Sequence, residues 1–195
     1  MAASADPLAE VLGPIEAGRP APVYYLAGES WPVDQVVAAI RRAVLGGDGN
    51  AFNLDSLLAG EARASGILAA ARTLPMFGAS RLVEVRDAHL LDAEALGQLV
   101  PYIKDPSPTT CLVLLAEKAD LRLKFFGELK KHGVVARFEP LKDRQAAAWV
   151  AGEARRQKVR LAAGAAEAIA DAVGTDMGQL ASAVERCALY QAWLI

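Results

Sequence analysis

The first candidate for chemistry is the turn that follows the apolar, strand-like run 23–27. A phosphate-binding loop needs a glycine-rich turn whose backbone N–H groups surround the phosphates, with a Lys for the phosphates and a Ser or Thr for magnesium. Here the turn reads Gly28-Glu29-Ser30-Trp31-Pro32. It is too short and has no Lys, Glu29 puts a carboxylate where phosphate charge would lie, and Pro32 has no N–H to donate. The turn therefore predicts a nucleotide-binding architecture that binds no nucleotide, and we expect no cofactor.

The end of the β-rich run 81–86 is the second candidate, because an ATPase would carry acidic residues there to hold magnesium and orient water. Residues 86–89 read Arg-Asp-Ala-His, with Asp87 the single acid. This pattern fits either a degenerate metal site or a turn with a capping Asp, and the missing phosphate loop favours the turn. His89 and His132 have no ligand-spaced Cys or His neighbours, which disfavours zinc. No catalytic triad or carboxylate pair stands out, so we predict no catalytic site.

A third candidate is the apolar corner Leu74-Pro75-Met76-Phe77, which joins a helix-like segment, 65–73, to the run 81–86. Pro75 should end the helix, because its ring disfavours helical geometry in the preceding residue. Met76 and Phe77 then lie at the tip of the corner. They either fold back to cap their own core or insert into a partner's pocket, as apolar anchors do. Taken alone, the residues slightly favour the core role.

Basic residues cluster between positions 118 and 131. With Phe125, Phe126 and Leu129 on the buried side, the pattern favours the solvated face of a helix spanning Leu121 to Lys131. The alternative is contact with DNA, for which the candidates are Lys124, Lys130 and Lys131.

The elements that would position these residues change in character near residue 141. Strand-like runs at 23–27, 52–55, 81–86, 110–116 and 134–138 alternate with helical patterns. One such helix begins after Asp92 and should be bent or shortened by Pro101. This alternation predicts an α/β domain with a mainly parallel sheet. We expect an N-terminal extension at 1–21, the α/β domain at 22–141 and a lid-like domain at 142–195. That last domain should hold three helices: one capped by Asp143, one spanning 163–173 and one starting near Asp176.

Composition narrows the class of protein. The chain has 195 residues, 53% of them apolar, and a net charge of −2, so it can bury a core and carries no global basic field. Cys111 and Cys187 are far apart and fit buried free thiols. No apolar run is long enough to cross a membrane, and the first residues lack the basic and apolar blocks of a secretory signal. We expect a soluble, cytoplasmic protein with no membrane partner.

Several short pieces, in order across roughly residues 22–190, resemble the delta subunit of the bacterial DNA polymerase III clamp loader. The resemblance is carried by residues 25–29 (YLAGE), 52–55 (FNLD), 73–78 (TLPMFG) with 81–83 (RLV), 114–118 (LLAEK), 138–141 (FEPL), 180–181 (LA), 184–185 (VE) and 188–190 (ALY). It implies an AAA+-like, P-loop-NTPase-like domain without a functional phosphate loop, followed by a small lid-like domain. It also implies a non-catalytic subunit of a DNA-directed DNA polymerase holoenzyme that opens the sliding clamp, the beta subunit, in DNA replication.

The resemblance also implies a binding site. Carried over by position, the clamp-binding plug is Met76 and Phe77, with Leu74 and Pro75 shaping it, and this reverses the preference for a core role. Partners would be the sliding clamp, the other loader subunits and, through the lysines, primer-template DNA. The family's collar domain is absent, so we expect a truncated chain, a fragment or a short relative whose assembly with the other subunits is weakened. The alternatives are an active AAA+ NTPase and a DNA-binding module of the same fold.

Overall fold

The computed structural model describes residues 7–46, 51–76 and 78–193, and the side chains of these except at 51 and 190–193. The chain divides into two compact units, Met1–Phe138 and Glu139–Ile195. Within the described ranges, no helix is both long enough and apolar enough to cross a membrane.

The first unit is built on a five-stranded sheet in which every pairing is parallel. Its strands are β1 (Val23–Gly28), β2 (Leu54–Leu58), β3 (Arg81–Arg86), β4 (Thr110–Ala116) and β5 (Val134–Phe138). Their spatial order is β2-β3-β4-β1-β5, so that β2 and β5 form the edges. Because all strands run the same way, their amino ends share one edge of the sheet and their carboxyl ends share the other.

Five helices cover the two faces of this sheet. They are α1 (Pro7–Glu16), α2 (Ser30–Leu45), α3 (Ala64–Arg72), α4 (Ala93–Lys104) and α5 (Lys124–His132). Side chains alternate between the faces along each strand. Tyr24 and Leu26 therefore pack in one core with α1 and α2, whereas Tyr25 and Ala27 pack in the other with α3, α4 and α5. A strand that is buried on both faces reads as a continuous apolar run, as β1 and β4 do.

The second unit contains α6 (Asp143–Arg156), α7 (Ala165–Val173) and α8 (Met177–Trp193). Val150, Leu180 and Val184 are fully buried at the centre of its core. Asp176 caps α8, because its carboxylate accepts a hydrogen bond of 2.8 Å from the Gln179 N–H. The α/β fold with a parallel sheet, followed by a small helical domain, is thus the one that the sequence predicts.

The strand predicted at 52–55 is partly wrong. Ala51–Asn53 form a single 3-10 turn, and β2 starts only at Leu54. Residues 52–55 alternate apolar and polar, as in a half-buried strand with its apolar side chains inward. The structure inverts this order at its start, because Phe52 is 73% exposed and Asn53 is fully buried. The cause is a tertiary contact of Asn53, which is described with the candidate site.

Three helix predictions need correction. Helix α5 starts at Lys124 rather than Leu121, because Asp120 accepts a hydrogen bond from the Arg122 N–H and holds residues 120–122 in a turn. Pro101 does not shorten α4, which continues to Lys104. Asp143 is the first residue of α6 and not its cap. Capping falls instead to the Gln145 side chain, which accepts a hydrogen bond from the Lys142 N–H at 3.0 Å. The Asp92 cap is confirmed by a 2.7 Å hydrogen bond from the Ala95 N–H.

Candidate functional site

The corner after α3 begins where three carbonyl groups at the end of the helix accept hydrogen bonds from outside it. The last carbonyl groups of a helix have no partner inside the helix and need one outside it. Here the Thr73 hydroxyl donates to the Ala69 carbonyl at 2.8 Å, and the Thr73 N–H donates to the Ala70 carbonyl at 3.2 Å. The buried Tyr102 hydroxyl donates to the Ala71 carbonyl at 3.2 Å. Hydrogen bonds from Thr73 and from Tyr102 of α4 therefore fix the end of α3, and the chain leaves it in an extended conformation.

Beyond this point the chain exposes apolar side chains. Leu74 is 72% exposed and Met76 is 52% exposed, while Pro75 between them is half-buried. We call residues 74–76 the tip. Phe77, the remaining predicted member of the plug, lies outside the described residues and stays a prediction from the sequence. Large apolar side chains that are exposed next to one another are typical of surfaces that bind other proteins.

The tip is held in place by one buried side chain. The Asn53 amide donates to the Met76 carbonyl at 2.8 Å, and its oxygen accepts from the Met76 N–H at 2.6 Å. We call this pair of hydrogen bonds the Asn53 clasp. A side-chain amide can pair with both polar groups of one residue in this way because it is at once donor and acceptor. The Met76 backbone is therefore fixed, while its side chain points away from the core.

A salt bridge fixes the chain again where the corner enters β3. The Arg81 guanidinium, which is buried, pairs with Asp55 of β2 through its Nε at 2.8 Å. The Arg81 N–H also donates to the Thr109 carbonyl at 2.7 Å. The tip is thus anchored on both sides at the amino edge of the sheet, and two of its anchors, Asn53 and Asp55, come from the start of β2. This arrangement can present two apolar side chains with little loss of conformational freedom on binding, which favours affinity.

The turn after β1, which was the first candidate for chemistry, lies at the carboxyl edge of the sheet. Only Glu29 separates Gly28, the last residue of β1, from Ser30, the first of α2. The Glu29 N–H is already taken by the Phe138 carbonyl at 2.9 Å. Gly28 has a φ of +105°, and a Cβ built on it would lie 2.0 Å from that same carbonyl oxygen. The turn therefore has no loop of free N–H groups in which phosphates could be cradled.

A cleft of about 520 Å³ lies beside this turn, between α2 and the carboxyl ends of β3 and β4. An ion pair occupies its wall. The Arg41 guanidinium binds the Glu84 carboxylate with two hydrogen bonds of 2.6 Å, and the Glu84 side chain is only 1% exposed. The hydrogen bond to Glu84 raises the pKa of Arg41. The geometry is the bidentate one in which this pairing is strong.

Asp87 is the acid for which a degenerate metal site and a turn were both considered. It follows β3 in the left-handed backbone region, with a φ of 56°. Its carbonyl oxygen, rather than its side chain, accepts a hydrogen bond of 2.8 Å from the Leu90 N–H. Across the described residues, no group of three or more His, Cys, Asp or Glu side chains is arranged to hold a metal ion.

The three lysines that are candidates for DNA contact do not share one face of α5. Lys124 and Lys131 are seven residues apart, about two helical turns, and both line a groove between α4 and α5, whereas Lys130 is rotated by about 120°. Lys131 is also paired with Glu128 at 2.9 Å. DNA contact through these residues stays a prediction, and a steep fall of DNA affinity with salt concentration would be its signature.

Sequence reasoning missed Asn53 and the Arg41–Glu84 pair. Asn53 reads as an outward-facing residue of a strand, and Glu84 as one member of a β-rich run. Their partners lie 23 and 43 residues away in the chain. No local pattern signals such pairings.

The chain belongs to the DNA polymerase III delta subunit family, whose model matches residues 24–139. It is 30% identical over 164 residues to DNA polymerase III subunit delta of Bacillus subtilis (strain 168), an alignment that covers 78% of this chain and 47% of that protein. The chain therefore spans about half the length of the curated relative that it matches.

A solved structure of a clamp-loader delta protein gives the same result for the fold. The structure of the Bacillus subtilis DNA clamp loader delta protein superimposes with a TM-score of 0.82 at 26% identity, covering 94% of this chain and 57% of that one. A gamma subunit-related protein of DNA polymerase III from Thermotoga maritima has a TM-score of 0.49 at 15% identity, covering 90% of this chain and 70% of that one. The first match confirms the α/β clamp-loader fold that the resemblance implied.

Proposed function

We propose that this chain acts as a clamp-loader delta subunit that binds the sliding clamp and opens it, and that the tip makes the contact. The observation that carries the proposal is the tip itself. Leu74 and Met76 are exposed, while the Asn53 clasp and the hydrogen bonds at the end of α3 fix the backbone that bears them. An apolar anchor on a fixed backbone is the arrangement expected of an interaction hot spot. Phe77 belongs to this proposal on the sequence prediction alone.

The mechanism we propose is differential binding. A ligand shifts a two-state equilibrium only by the difference between its affinities for the two states. A tip that fits the opened or strained ring better than the closed ring therefore raises the population of open rings. The fixed backbone matters for this step, because a tip that could yield would adapt to the closed ring instead of favouring the open one.

We further propose that the chain carries out this step without binding or hydrolysing ATP. Support comes from the one-residue turn after β1, the Glu29 N–H that is taken by Phe138, and the Arg41–Glu84 pair in the wall of the neighbouring cleft. Titration with a fluorescent ATP analogue checks this, and saturable binding in the micromolar range would contradict it. Assembly with other clamp-loader subunits is proposed from family membership alone.

Binding of this chain to its cognate sliding clamp, measured by surface plasmon resonance, tests the proposed contact. The variant is Leu74→Ser/Met76→Ser. A matched control is Leu90→Ser/Leu121→Ser, which removes two exposed apolar side chains, 61% and 38% exposed, from outside the tip. We expect the tip variant to lose at least ~30-fold in affinity, about 2 kcal/mol, because two anchoring side chains are removed. The control should bind like the wild type. Equal binding by all three proteins would refute the proposed contact.

A further inference from the structure

Phe52 and Asn53 occupy environments opposite to those that their chemistry favours. Phe52 is 73% exposed, whereas its neighbour Asn53 is completely buried. A large apolar residue that is exposed and a polar residue that is buried both depart from the usual distribution of side chains, and each calls for an explanation. The Asn53 clasp explains why Asn53 is buried. It does not explain why the adjacent position carries a phenylalanine, since the Phe52 ring contributes little to the core.

Phe52 lies close to the tip. The clasp brings Asn53 and Met76 into hydrogen-bond contact. Along the chain, Phe52 is one residue from Asn53, and Leu74 is two residues from Met76, so their Cα atoms lie about 4 Å and at most about 7 Å from the clasped residues. Among the described residues, Phe52 and Leu74 are also the two most exposed large apolar side chains. Two segments far apart in sequence thus present their most exposed apolar residues at one place.

Both segments also lie at the same edge of the sheet. Phe52 immediately precedes β2 and the tip precedes β3, and these strands are neighbours in parallel register, with Leu54 beside Leu82. Leu90 is similarly exposed, at 61%, but it follows the carboxyl end of β3, a strand of six residues. It therefore lies at the opposite edge, about 17 Å away along the strand direction. Phe52 and the tip therefore form one group of exposed apolar side chains at the amino edge, separate from Leu90.

We propose that Phe52 is a second anchor for the same partner, the sliding clamp, so that the contact surface combines the tip with the 3-10 turn before β2. This inference rests on the proposed function. Aromatic residues and methionine are enriched at protein interfaces, and a surface of two segments joined by a buried amide can bind as one rigid unit. The Asn53 clasp then has two roles: it fixes Met76, and it sets the distance between the two anchors.

The test is equilibrium binding of the whole chain to its cognate sliding clamp for Phe52→Ser, with Leu90→Ser as the matched control and Leu74→Ser/Met76→Ser as the reference. We expect Phe52→Ser to weaken binding at least 10-fold, and Leu90→Ser to leave it unchanged. Phe52→Leu, which keeps an apolar side chain, should recover most of the affinity. The melting temperature of Phe52→Ser should equal that of the wild type, because the ring is exposed.

The outcomes separate this inference from the proposed function. If the tip variant loses binding and Phe52→Ser does not, Phe52 is no anchor and the proposed function stands. If neither variant loses binding, or the wild type does not bind, both ideas fail. A loss in Phe52→Ser that is accompanied by faster hydrogen exchange of the Met76 N–H would overturn the anchor role, because the ring would then act by supporting the clasp.

Discussion

Replacing Asn53 with Ala should release the tip without unfolding the protein. The substitution removes both hydrogen bonds of the Asn53 clasp, of 2.8 and 2.6 Å. Each such bond contributes about 1 kcal/mol net, so the free energy that holds the tip on the sheet should fall by about 2 kcal/mol. That difference corresponds to a roughly 30-fold larger population of the detached tip. Global stability should change less, because the Met76 N–H and carbonyl can bind water once the tip detaches.

Amide hydrogen exchange measures this directly, because it reports the free energy of local opening. The Met76 N–H donates to Asn53 in the wild type. Its exchange should be about 30-fold faster in Asn53→Ala. The amides of Leu82 and Val83 in β3 should keep their rates, since both residues are fully buried within the sheet. Urea unfolding supplies the global free energy for comparison.

A neighbouring substitution supplies the control. Thr73→Val removes the hydroxyl bond to the Ala69 carbonyl at the same corner and leaves the Asn53 clasp intact. It should not change the exchange of the Met76 N–H. Equal Met76 exchange in the wild type and Asn53→Ala would refute the reasoning. So would a rise in exchange that is matched throughout β3, because that pattern would mean that Asn53 stabilises the whole unit and not the tip.

Three further perturbations test other parts of the structure. Arg41→Ala should lower the free energy of unfolding by about 3 kcal/mol in urea, because it leaves the Glu84 carboxylate buried without its partner, and adding Glu84→Leu should recover much of the loss. No recovery in the double variant would contradict the ion-pair account. Burial raises the pKa of the Cys111 thiol to about 12, so it should resist a thiol reagent at pH 8 until the protein is unfolded in urea. Burial also raises the pKa values of Tyr24 and Tyr25 to about 12. These pKa values exceed the value near 10 that tyrosine has in the unfolded chain. The contribution of the two protonated tyrosines to the free energy of unfolding should therefore be complete below pH 10 and lost as pH rises towards 12. Urea midpoints at pH 9 and 11, with absorbance titration of the tyrosines, check this, and ionisation of both near pH 10 in the folded protein would contradict it.

The sequence predicts most of the sheet because the signals for its strands are local. Strands β3, β4 and β5 match their predicted bounds, since each is rich in apolar and β-branched residues and ends at a clear break. The start of β2 could not be found in the same way. An alternating pattern around Phe52 looks like a half-buried strand whichever way it faces, and a contact 23 residues along the chain decides that Asn53 turns inward.

The candidate site, too, has features that follow from local sequence and features that depend on contacts between distant residues. The composition of Leu74, Pro75 and Met76 marks an apolar corner, and resemblance to a family suggests its use. What makes the corner rigid could not be predicted, because the clasp, the Tyr102 bond and the Arg81–Asp55 pair all join separate parts of the chain. The start of α5 was missed for a smaller reason. Leu121 lies four and eight residues before Phe125 and Leu129, which is helical spacing. This pattern masks the turn that Asp120 imposes through its hydrogen bond with the Arg122 N–H.

The close approach of β5 to Gly28 bears on how sequences of this fold are interpreted. Any side chain at position 28 would collide with the Phe138 carbonyl oxygen, whatever the turn binds. Selection for the packing of the sheet alone is therefore enough to retain a glycine at the end of the first strand. A sequence search that takes this glycine as the trace of an ancestral nucleotide site would recover chains that pair their first and last strands closely. In this fold, a lysine in the turn and a turn long enough to surround the phosphates are the features that indicate nucleotide binding. The glycine alone indicates only close packing of the strands.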